Sequence, residues 1–478
     1  MALARDGGSA RPYRRAFFLG LTTGAVCFAA TLYWLVETMA TFGGLAIPLA
    51  VLAAAVLVAY LALFPAVFAL LMARFLRALG PSGLLLGPPA WVATELGRQY
   101  VWDGFPWELL GYSQITWLPI VQIASVVGVY GLSALLAATA SAAALVIVDR
   151  SRRRWVVAAA TAIVVAAGAG WGAARLAGSP LRSAGVPVRV AVLQGNIEQD
   201  QKWDPALVDE ITARYFTMTR QALAGSATLI LWPESATPFL FERDTVRGGE
   251  LRRLAREGRA TLLVGSDQVE PIRPASPGES PQSRYYNAAF LVKPDGGIGA
   301  VYRKMHLVPF GEYVPLKRLL FFVGPIVEAV SDFTPGTEPV LLPVGEHTAS
   351  TAICYEVIYG DLIRRSVREG SELLTTITND AWYGRSSAAY QHWDQAAMRA
   401  IENGRYLARA ANTGISGFVD PYGRVLERSE LFEQRMLVRD LRFLAGRTIY
   451  SRIGDLVAWL SLALVAAAVL ACWRVTRA

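Results

Sequence analysis

Long uncharged stretches occupy the first third of the chain and return at its end. A helix needs about 20 apolar residues to cross the hydrocarbon core of a bilayer. Six runs therefore predict membrane spans: Ala16 to Val36, Ala46 to Ala73, Leu84 to Val101, Leu118 to Val148, Trp155 to Ala174 and Leu456 to Trp473. The third run is the weakest because it contains Pro88, Pro89, Glu95 and Arg98. We expect it to be kinked or buried among other helices.

Basic residues mark the ends of these runs. They cluster in the N-terminus, the 74–83 and 149–154 connections and the C-terminus. If all six runs cross the membrane, these four segments lie on the same side of it. The positive-inside rule assigns that side to the cytoplasm. The first run lacks a clear small-residue cleavage site and further spans follow it, so we interpret it as retained rather than as a signal peptide. The predicted parts are a cytoplasmic N-terminus (1–15), a five-span membrane domain (16–174), an extracytoplasmic domain (175–455), a last span (456–473) and a cytoplasmic tail (474–478).

Residues 186–440 follow a different pattern, in which short β-branched runs alternate with helical spacing. The predicted strands are 188–193, 228–232, 260–265, 286–292, 348–354, 373–378, 417–420 and 425–428. The predicted helices are 205–223, 251–259, 361–368 and a long amphipathic helix over 391–411. Residues 271–284 predict a flexible loop. Such alternation is typical of a layered α/β domain with a central sheet.

Composition agrees with a membrane protein. Hydrophobic residues make up 54% of the chain and charged residues 18%, which is too apolar for an ordinary soluble protein. The formal net charge of +8 arises largely at the ends of apolar runs. A nucleic-acid-binding protein would instead carry a basic stripe on a soluble domain, so we expect no nucleic-acid partner.

Cys354 draws attention because it is the one cysteine of the α/β region. The other two, Cys27 and Cys472, lie in apolar runs. Cys354 closes a predicted strand and is followed by Tyr355 and Glu356. A lone thiol in this setting is either an inert core residue or a nucleophile, and the residues alone leave both readings open.

Two further residues at predicted strand ends suit a nucleophilic cysteine. A thiol needs a base, and Glu234, with its pKa raised by burial, can serve. The ammonium of Lys304 can offset negative charge and stabilise an oxyanion. The alternative for Lys304 is an ion pair with Glu312 at the surface. The histidines have no metal-ligand spacing, so we expect neither a metal nor a cofactor.

Local sequences around these residues resemble the nitrilase (carbon–nitrogen hydrolase) superfamily. The matching stretches are Gln194-Gly195-Asn196-Ile197 with Lys202-Trp203-Asp204, Trp232-Pro233-Glu234-Ser235, His306 to Glu312, Ile353-Cys354-Tyr355-Glu356 and Asn379 to Gly384. In the membrane part, Gly104-Phe105-Pro106-Trp107 and Gly111-Tyr112-Ser113-Gln114 also match. A nitrilase-like domain between spans is similar to the apolipoprotein N-acyltransferase branch. That branch usually has eight spans, so we expect its first two to be missing here.

The resemblance implies a multi-pass α-helical membrane domain plus an α/β nitrilase-like αββα sandwich. It implies Glu234 as general base, Cys354 as nucleophile and Lys304 as oxyanion stabiliser together with the backbone N–H after the cysteine. Glu312 would be a second carboxylate that orients Lys304. Tyr355 and Glu356 would support the thiol, although Glu356 could instead cap the following helix. Trp203 would lie on an arm at the entrance, although core or interfacial packing would also explain a tryptophan.

The implied reaction transfers an acyl chain from a membrane phospholipid to the amine of a diacylglyceryl apolipoprotein through a Cys354 thioester. The implied location is the bacterial inner membrane, with the catalytic domain facing the periplasm, and we expect a monomer. Two alternatives stay open: a membrane-tethered amidase that uses water, and a non-catalytic scaffold or transporter. The apolar stretch 319–330 is interpreted as a loop that dips into the outer leaflet.

Overall fold

The computed structural model describes residues 11–272, 282–309, 311–313 and 333–475. They divide into two compact units. One contains the chain up to residue 36, residues 46–179 and the residues from 448 onward, and the other contains residues 37–45 and 180–447. The apolar stretch 319–330 and most of the loop expected at 271–284 lie outside the described residues.

The apolar runs of the first unit form helices. These are α1 (Arg11–Thr31), α2 (Trp34–Glu37), α3 (Ile47–Leu79), α4 (Gly87–Tyr100), α5 (Leu118–Val121), α6 (Ala124–Val148) and α7 (Arg153–Gly178). Pro88 and Pro89 stand in the first turn of α4, where a missing N–H breaks no intrahelical hydrogen bond. They start this helix rather than kink it. Glu95 and Arg98 on α4 are buried, as the alternative expectation for this run required.

In the described part of the chain, fewer than six helices are long enough to span a bilayer alone. Among the described residues, four helical segments are sufficiently long and apolar, or five if the bent pair Pro12–Thr31 and Trp34–Phe42 counts as one span. One of the four, Ile47–Tyr100, covers all but one residue of each of the second and third predicted runs. The number of crossings and their orientation therefore stay predictions.

The second unit is built on two six-stranded sheets. Their strands are β1 (Val186–Gln194), β2 (Leu229–Leu231), β3 (Thr261–Ile272), β4 (Gln282–Val292), β5 (Ile298–Arg303), β6 (Leu342–Val344), β7 (His347–Ile353), β8 (Leu373–Thr378), β9 (Leu407–Ala411), β10 (Gly417–Val419), β11 (Val425–Arg428) and β12 (Arg435–Phe443). The strand orders are β12-β1-β2-β3-β4-β5 and β11-β10-β9-β8-β7-β6. In each sheet three central strands are parallel, β1-β2-β3 and β7-β8-β9.

Helices cover the outer face of each sheet. Among the described residues these helices are α8 (Val208–Ala224), α9 (Thr245–Gly258), α10 (Gly360–Glu369) and α11 (Ala388–Asn403). Side chains of both sheets, such as Leu231 and Ile377, share one buried apolar core. A second core joins the first sheet to α8 and α9 through residues such as Tyr215 and Leu254. The predicted αββα sandwich is therefore confirmed.

The long helix predicted over 391–411 is wrong in its second half. Helix α11 ends at Asn403, and the chain re-enters the sheet as β9. Gly404 ends the helix with a φ of +61°, a left-handed conformation that glycine adopts without a Cβ penalty. Helix and strand are both almost entirely buried, so apolar residues continue from one into the other. Periodicity alone therefore does not show where the helix ends. Strands β6 and β12 were also not predicted, and β5 was expected only through the strand end assigned to Lys304, without bounds.

The chain returns to the first unit after β12. A short helix, α12 (Ile449–Ile453), leads into α13 (Leu456–Val475). Within this unit α13 packs on α4 and α3. The last predicted span, Leu456 to Trp473, coincides with a segment that is long and apolar enough to cross a membrane.

Candidate active site

Three strand ends carry the residues that the sequence singled out. Glu234 lies three residues beyond β2, Lys304 directly follows β5, and Cys354 directly follows β7. Strands β2 and β5 belong to one sheet and β7 to the other, so the site is assembled from both sheets. Loops at the carboxyl ends of parallel strands are where layered α/β domains build their sites.

Lys304 and two carboxylates form a buried ionic cluster. The Lys304 Nζ lies 3.2 Å from Oε1 of Glu234 and 2.9 Å from Oε1 of Glu312. Its side chain is only 1% exposed, so a surface ion pair is excluded for Lys304. Asn287 completes the cluster, since its Nδ2 donates to Glu234 at 2.7 Å and to Glu312 at 2.8 Å.

The second oxygen of Glu234 is held from the other sheet. The backbone N–H of Asn379, directly after β8, donates to Glu234 Oε2 at 2.8 Å. Both oxygens of Glu234 therefore have donors within the domain, and the direction of the carboxylate is fixed. Such preorganisation is what a general base needs.

Cys354 begins a single helical turn, Cys354–Ile358, at the end of β7. Its φ is +52°, a conformation that non-glycine residues rarely adopt and that recurs at functional sites. The residue is 6% exposed and its thiol interacts with the hydroxyl of Thr378. The side chain also borders the core shared by the two sheets.

The charge states of the three residues suit a base and a neutral thiol. Burial raises the pKa of the Cys354 thiol far above its ordinary value, and the Glu234 carboxylate raises it further. Burial also acts to raise the pKa of Glu234, but Lys304 and Asn287 outweigh it and hold that pKa below its ordinary value. The expectation of a raised Glu234 pKa is therefore wrong, because the ammonium stabilises the ionised form. Burial disfavours the Lys304 ammonium, yet Glu234 and Glu312 raise its pKa well above normal.

Glu356 ties the cysteine turn to the strand that carries Lys304. Its Oε1 accepts from the Tyr302 hydroxyl at 2.8 Å and from the backbone N–H groups of Met305 and His306 at 2.6 and 3.1 Å. Its Oε2 accepts from the backbone N–H of Ile353 at 2.7 Å. Glu356 thus caps its own turn, not the following helix as the alternative expectation had it, and it also joins two segments. Burial raises its pKa to about 7.

Tyr355 belongs to an aromatic group beside the cysteine. Its ring centroid lies 5.8 Å from that of His306 and 5.5 Å from that of Tyr359. His306 also packs on Tyr359, with centroids 3.8 Å apart. Burial and the nearby Lys304 lower the pKa of His306 to about 4, so this imidazole is neutral at physiological pH.

Trp203 is half exposed on the segment between β1 and α8. Its neighbour Lys202 is buried, and the Lys202 Nζ lies 3.4 Å from the backbone carbonyl of Glu234 and 5.6 Å from the Trp203 ring centroid. Burial lowers the pKa of Lys202. Trp203 is therefore linked to the cluster through Lys202, and its assignment to substrate binding stays a prediction.

Several residues of the site were missed as functional candidates. Asn287 is a polar residue inside a predicted apolar strand, which was the signal available for it. Asn379 and Lys202 were named only as members of the sequence stretches that resemble the nitrilase superfamily, without a role of their own. No group of three or more metal-ligating side chains occurs in the part of the chain that the structure describes.

Comparison with known proteins identifies the class of protein. Residues 189–448 match the carbon-nitrogen hydrolase family and residues 2–142 match the apolipoprotein N-acyltransferase N-terminal domain. The first match covers more than half of the chain and the fold has two sheets, so the protein is a member of the carbon–nitrogen hydrolase superfamily.

The particular family follows from full-length relatives. The apolipoprotein N-acyltransferase of Geobacter metallireducens is 40% identical over 93% of this chain and 85% of its own length. That of Methylococcus capsulatus is 36% identical over 97% and 88%. This chain belongs to the apolipoprotein N-acyltransferase family, whose members are membrane-associated enzymes of lipoprotein maturation. A solved amidase of the nitrilase superfamily from Nesterenkonia is 23% identical and covers 53% of this chain and 90% of its own, with a TM-score of 0.40.

Proposed function

We propose that Cys354, Glu234 and Lys304 carry out N-acylation through a thioester, with a membrane phospholipid as acyl donor and the α-amine of a diacylglyceryl-cysteine apolipoprotein as acceptor. The observation that carries the proposal is the buried ionic cluster beside a strained cysteine. An ionised carboxylate, a protonated thiol and an ammonium stand together before any substrate binds.

In the first half-reaction Glu234 takes the proton of the Cys354 thiol while the sulfur attacks the ester carbonyl of the phospholipid. The Lys304 ammonium and the Tyr355 backbone N–H stabilise the oxyanion. The tetrahedral intermediate collapses, the ester C–O bond breaks, and the departing alkoxide receives the proton from Glu234. The products are a lysophospholipid and a Cys354 thioester. Because the resting pKa of the thiol is high, the proton leaves only as the S–C bond forms.

In the second half-reaction the neutral amine of the acceptor attacks the thioester. Glu234 takes a proton from the nitrogen, the C–S bond breaks, and the thiolate recovers that proton from Glu234. The product is an amide, and the enzyme returns to its starting protonation state. Glu312 keeps Lys304 directed at the oxyanion throughout, because it shares the ammonium with Glu234.

The proposal places residues 175–455 on the periplasmic side of the bacterial inner membrane. The basic residues of the 74–83 and 149–154 connections support this orientation, because short connections rich in Lys and Arg stay in the cytoplasm. A monomer suffices, since every group in the proposed mechanism comes from one chain. We further propose that Trp203, half exposed beside Lys202, contacts the lipid substrates.

Mass spectrometry of the purified protein after incubation with phospholipid tests the mechanism. We expect an acyl adduct on Cys354 that a diacylglyceryl peptide removes with formation of an N-acyl product. Cys354→Ala should give no adduct while the protein remains folded, and Cys472→Ala is the matched control. An adduct in the Cys354→Ala protein would rule out the thioester, and rapid loss of the adduct in water alone would favour an amidase.

A further inference from the structure

A second buried cluster lies behind Cys354, on the side of the second sheet. It consists of Asp380, shortly after β8, His392 on α11 and Arg409 on β9. All three side chains are completely buried. The proposed chemistry uses none of them. Burying charged and titratable side chains away from water costs free energy, so such a cluster needs compensating interactions and a reason to be there.

The contact with Cys354 requires a hydrogen on Nε2 of His392. Nε2 lies 3.0 Å from the backbone carbonyl oxygen of Cys354, which can only accept, so Nε2 must carry a hydrogen. Nδ1 lies 2.9 Å from Nη2 of Arg409, which can only donate, so Nδ1 can accept there. A neutral imidazole protonated at Nε2 satisfies both contacts.

Asp380 pairs with Arg409 and borders His392. Its Oδ2 accepts from Arg409 Nη2 at 2.8 Å, and its Oδ1 accepts from the Thr378 hydroxyl at 2.7 Å. Oδ1 also lies 3.0 Å from His392 Nδ1, where only a protonated Nδ1 could donate to it, whereas the Arg409 contact needs an unprotonated Nδ1. The Cys354 carbonyl requires the hydrogen on Nε2 in either case. Burial and the guanidinium of Arg409 lower the pKa of His392, which agrees with the neutral form. The cluster therefore presents one fixed N–H to the Cys354 carbonyl.

The carbonyl of Cys354 shares a peptide plane with the N–H of Tyr355. A trans peptide is planar, and its C=O and N–H point in opposite directions. No cis peptide occurs in the described residues. A hydrogen bond that fixes the carbonyl therefore also fixes the direction of the Tyr355 N–H. The positive φ of Cys354 makes such a restraint necessary, since a strained turn persists only where its surroundings hold it.

We propose that His392 is a positioning residue that anchors the Cys354 carbonyl through its Nε2–H and so directs the Tyr355 N–H at the oxyanion. This inference rests on the thioester mechanism proposed above. His392 touches neither the thiol nor the substrate in this role. Its removal should slow reactions that pass through an oxyanion and spare reactions that do not.

Two reactions of Cys354 separate this role from a general structural one. Acylation by phospholipid forms a tetrahedral oxyanion. Alkylation by iodoacetamide is a direct displacement of iodide by sulfur, so it needs the thiol and its base but no oxyanion donor. The loss of a single oxyanion donor lowers rates by about 100-fold or more. His392→Ala should therefore slow adduct formation by about 100-fold with unchanged apparent phospholipid affinity, while alkylation stays within about threefold of the unmodified protein.

The conservative variant sharpens the test. His392→Gln keeps an N–H donor at a similar distance and should recover adduct formation to within about tenfold of the unmodified protein. His347→Ala is the matched control, because His347 is a partly exposed histidine of the same unit that pairs with Glu372. His392→Leu, which fills the space without a donor, replaces His392→Ala if the alanine protein does not fold.

The outcomes are distinct. Slow acylation with normal alkylation, recovered by glutamine, supports the inference. Equal loss of both reactions, failure of both donor-free variants to fold, or normal acylation in His392→Ala would overturn it. Absence of a Cys354 adduct in the unmodified protein would instead refute the thioester mechanism itself, so the two failures cannot be confused.

Discussion

The backbone N–H of Met305 donates a 2.6 Å hydrogen bond to the carboxylate of Glu356 and thereby fastens the cysteine turn to the strand end that bears Lys304. Glu356 lies two residues after Cys354, and Met305 directly follows Lys304. A carboxylate to which the proposed chemistry assigns no step thus joins the segment of the nucleophile to the segment of the ammonium.

Replacement of Glu356 by alanine should therefore damage both stability and activity. Four donors would lose a buried acceptor, and each unsatisfied buried group costs about 1–3 kcal/mol. We expect a loss of at least about 3 kcal/mol in the free energy of unfolding and no detectable adduct. Thermal unfolding in detergent measures the first, and mass spectrometry the second. Glu257→Ala, at an exposed position of α9, should change neither.

Glu234→Gln should remove the base without removing the side chain. Glutamine keeps the size of the residue but cannot take the thiol proton, and general base catalysis typically contributes about 10²–10⁴-fold. We expect lysophospholipid release to slow by that factor. Glu242→Gln, on the same segment after β2 but exposed, is the control. A normal rate of release in the Glu234→Gln protein would exclude Glu234 as the base.

Gly265→Ala should displace Glu234 without altering any charged group. A Cβ at Gly265 would stand 2.8 Å from the Cα of Glu234 and 2.8 Å from the backbone nitrogen of Ser235, closer than atoms can pack. We expect adduct formation to fall at least tenfold, because about 1 Å of misplacement costs far more than that in other enzymes. Gly249→Ala on α9, where a Cβ meets nothing within 4 Å, should retain activity. Unchanged kinetics in Gly265→Ala would show that the segment carrying Glu234 tolerates displacement.

His306 should make the protein less stable in acid. Its folded pKa of about 4 lies below the ordinary value of 6.5, so the unfolded chain binds the proton more readily. The stability contributed by neutral His306 is complete above pH 6.5 and is lost as the pH falls towards 4, by up to about 3 kcal/mol. His306→Phe keeps an aromatic ring without titrating. The difference in unfolding free energy between the two proteins should change across this range in favour of the phenylalanine variant, and a constant difference from pH 7 to pH 4 would refute the assignment.

The strands and site residues that could be predicted from the sequence are those determined by local residue patterns. Strand β8 was predicted with the bounds observed, 373–378, because a short apolar run there is followed by the polar pair Asn379-Asp380. Glu234, Lys304 and Cys354 could be named because each interrupts an apolar strand end with a reactive group. The missed strand β12 lacks the alternation that marks a half-buried strand, because the apolar run Met436-Leu437-Val438 is followed by the charged pair Arg439-Asp440.

The remaining site depends on contacts that no local pattern reveals. Asn379 reaches Glu234 across 145 positions of sequence, and its donor is a backbone N–H that any residue would carry. The sign of the Glu234 pKa shift depends on Lys304, 70 positions away, and burial by itself predicts the opposite sign. Such features become visible only when the two sheets are packed together.

The pairing of β1 with β12 has a consequence for the exchange of the catalytic segment between related proteins. Val186 stands opposite Phe443 in this antiparallel pair, so the chain enters and leaves the catalytic unit at neighbouring points of one sheet edge. Antiparallel neighbours bring two ends of a segment together without further structure. The segment 180–447 therefore begins and ends at one edge of one sheet, although residues 37–45 also belong to this unit. An exchange of this segment between related proteins can be made at these two neighbouring chain ends, without interrupting the sheets that hold the chemistry.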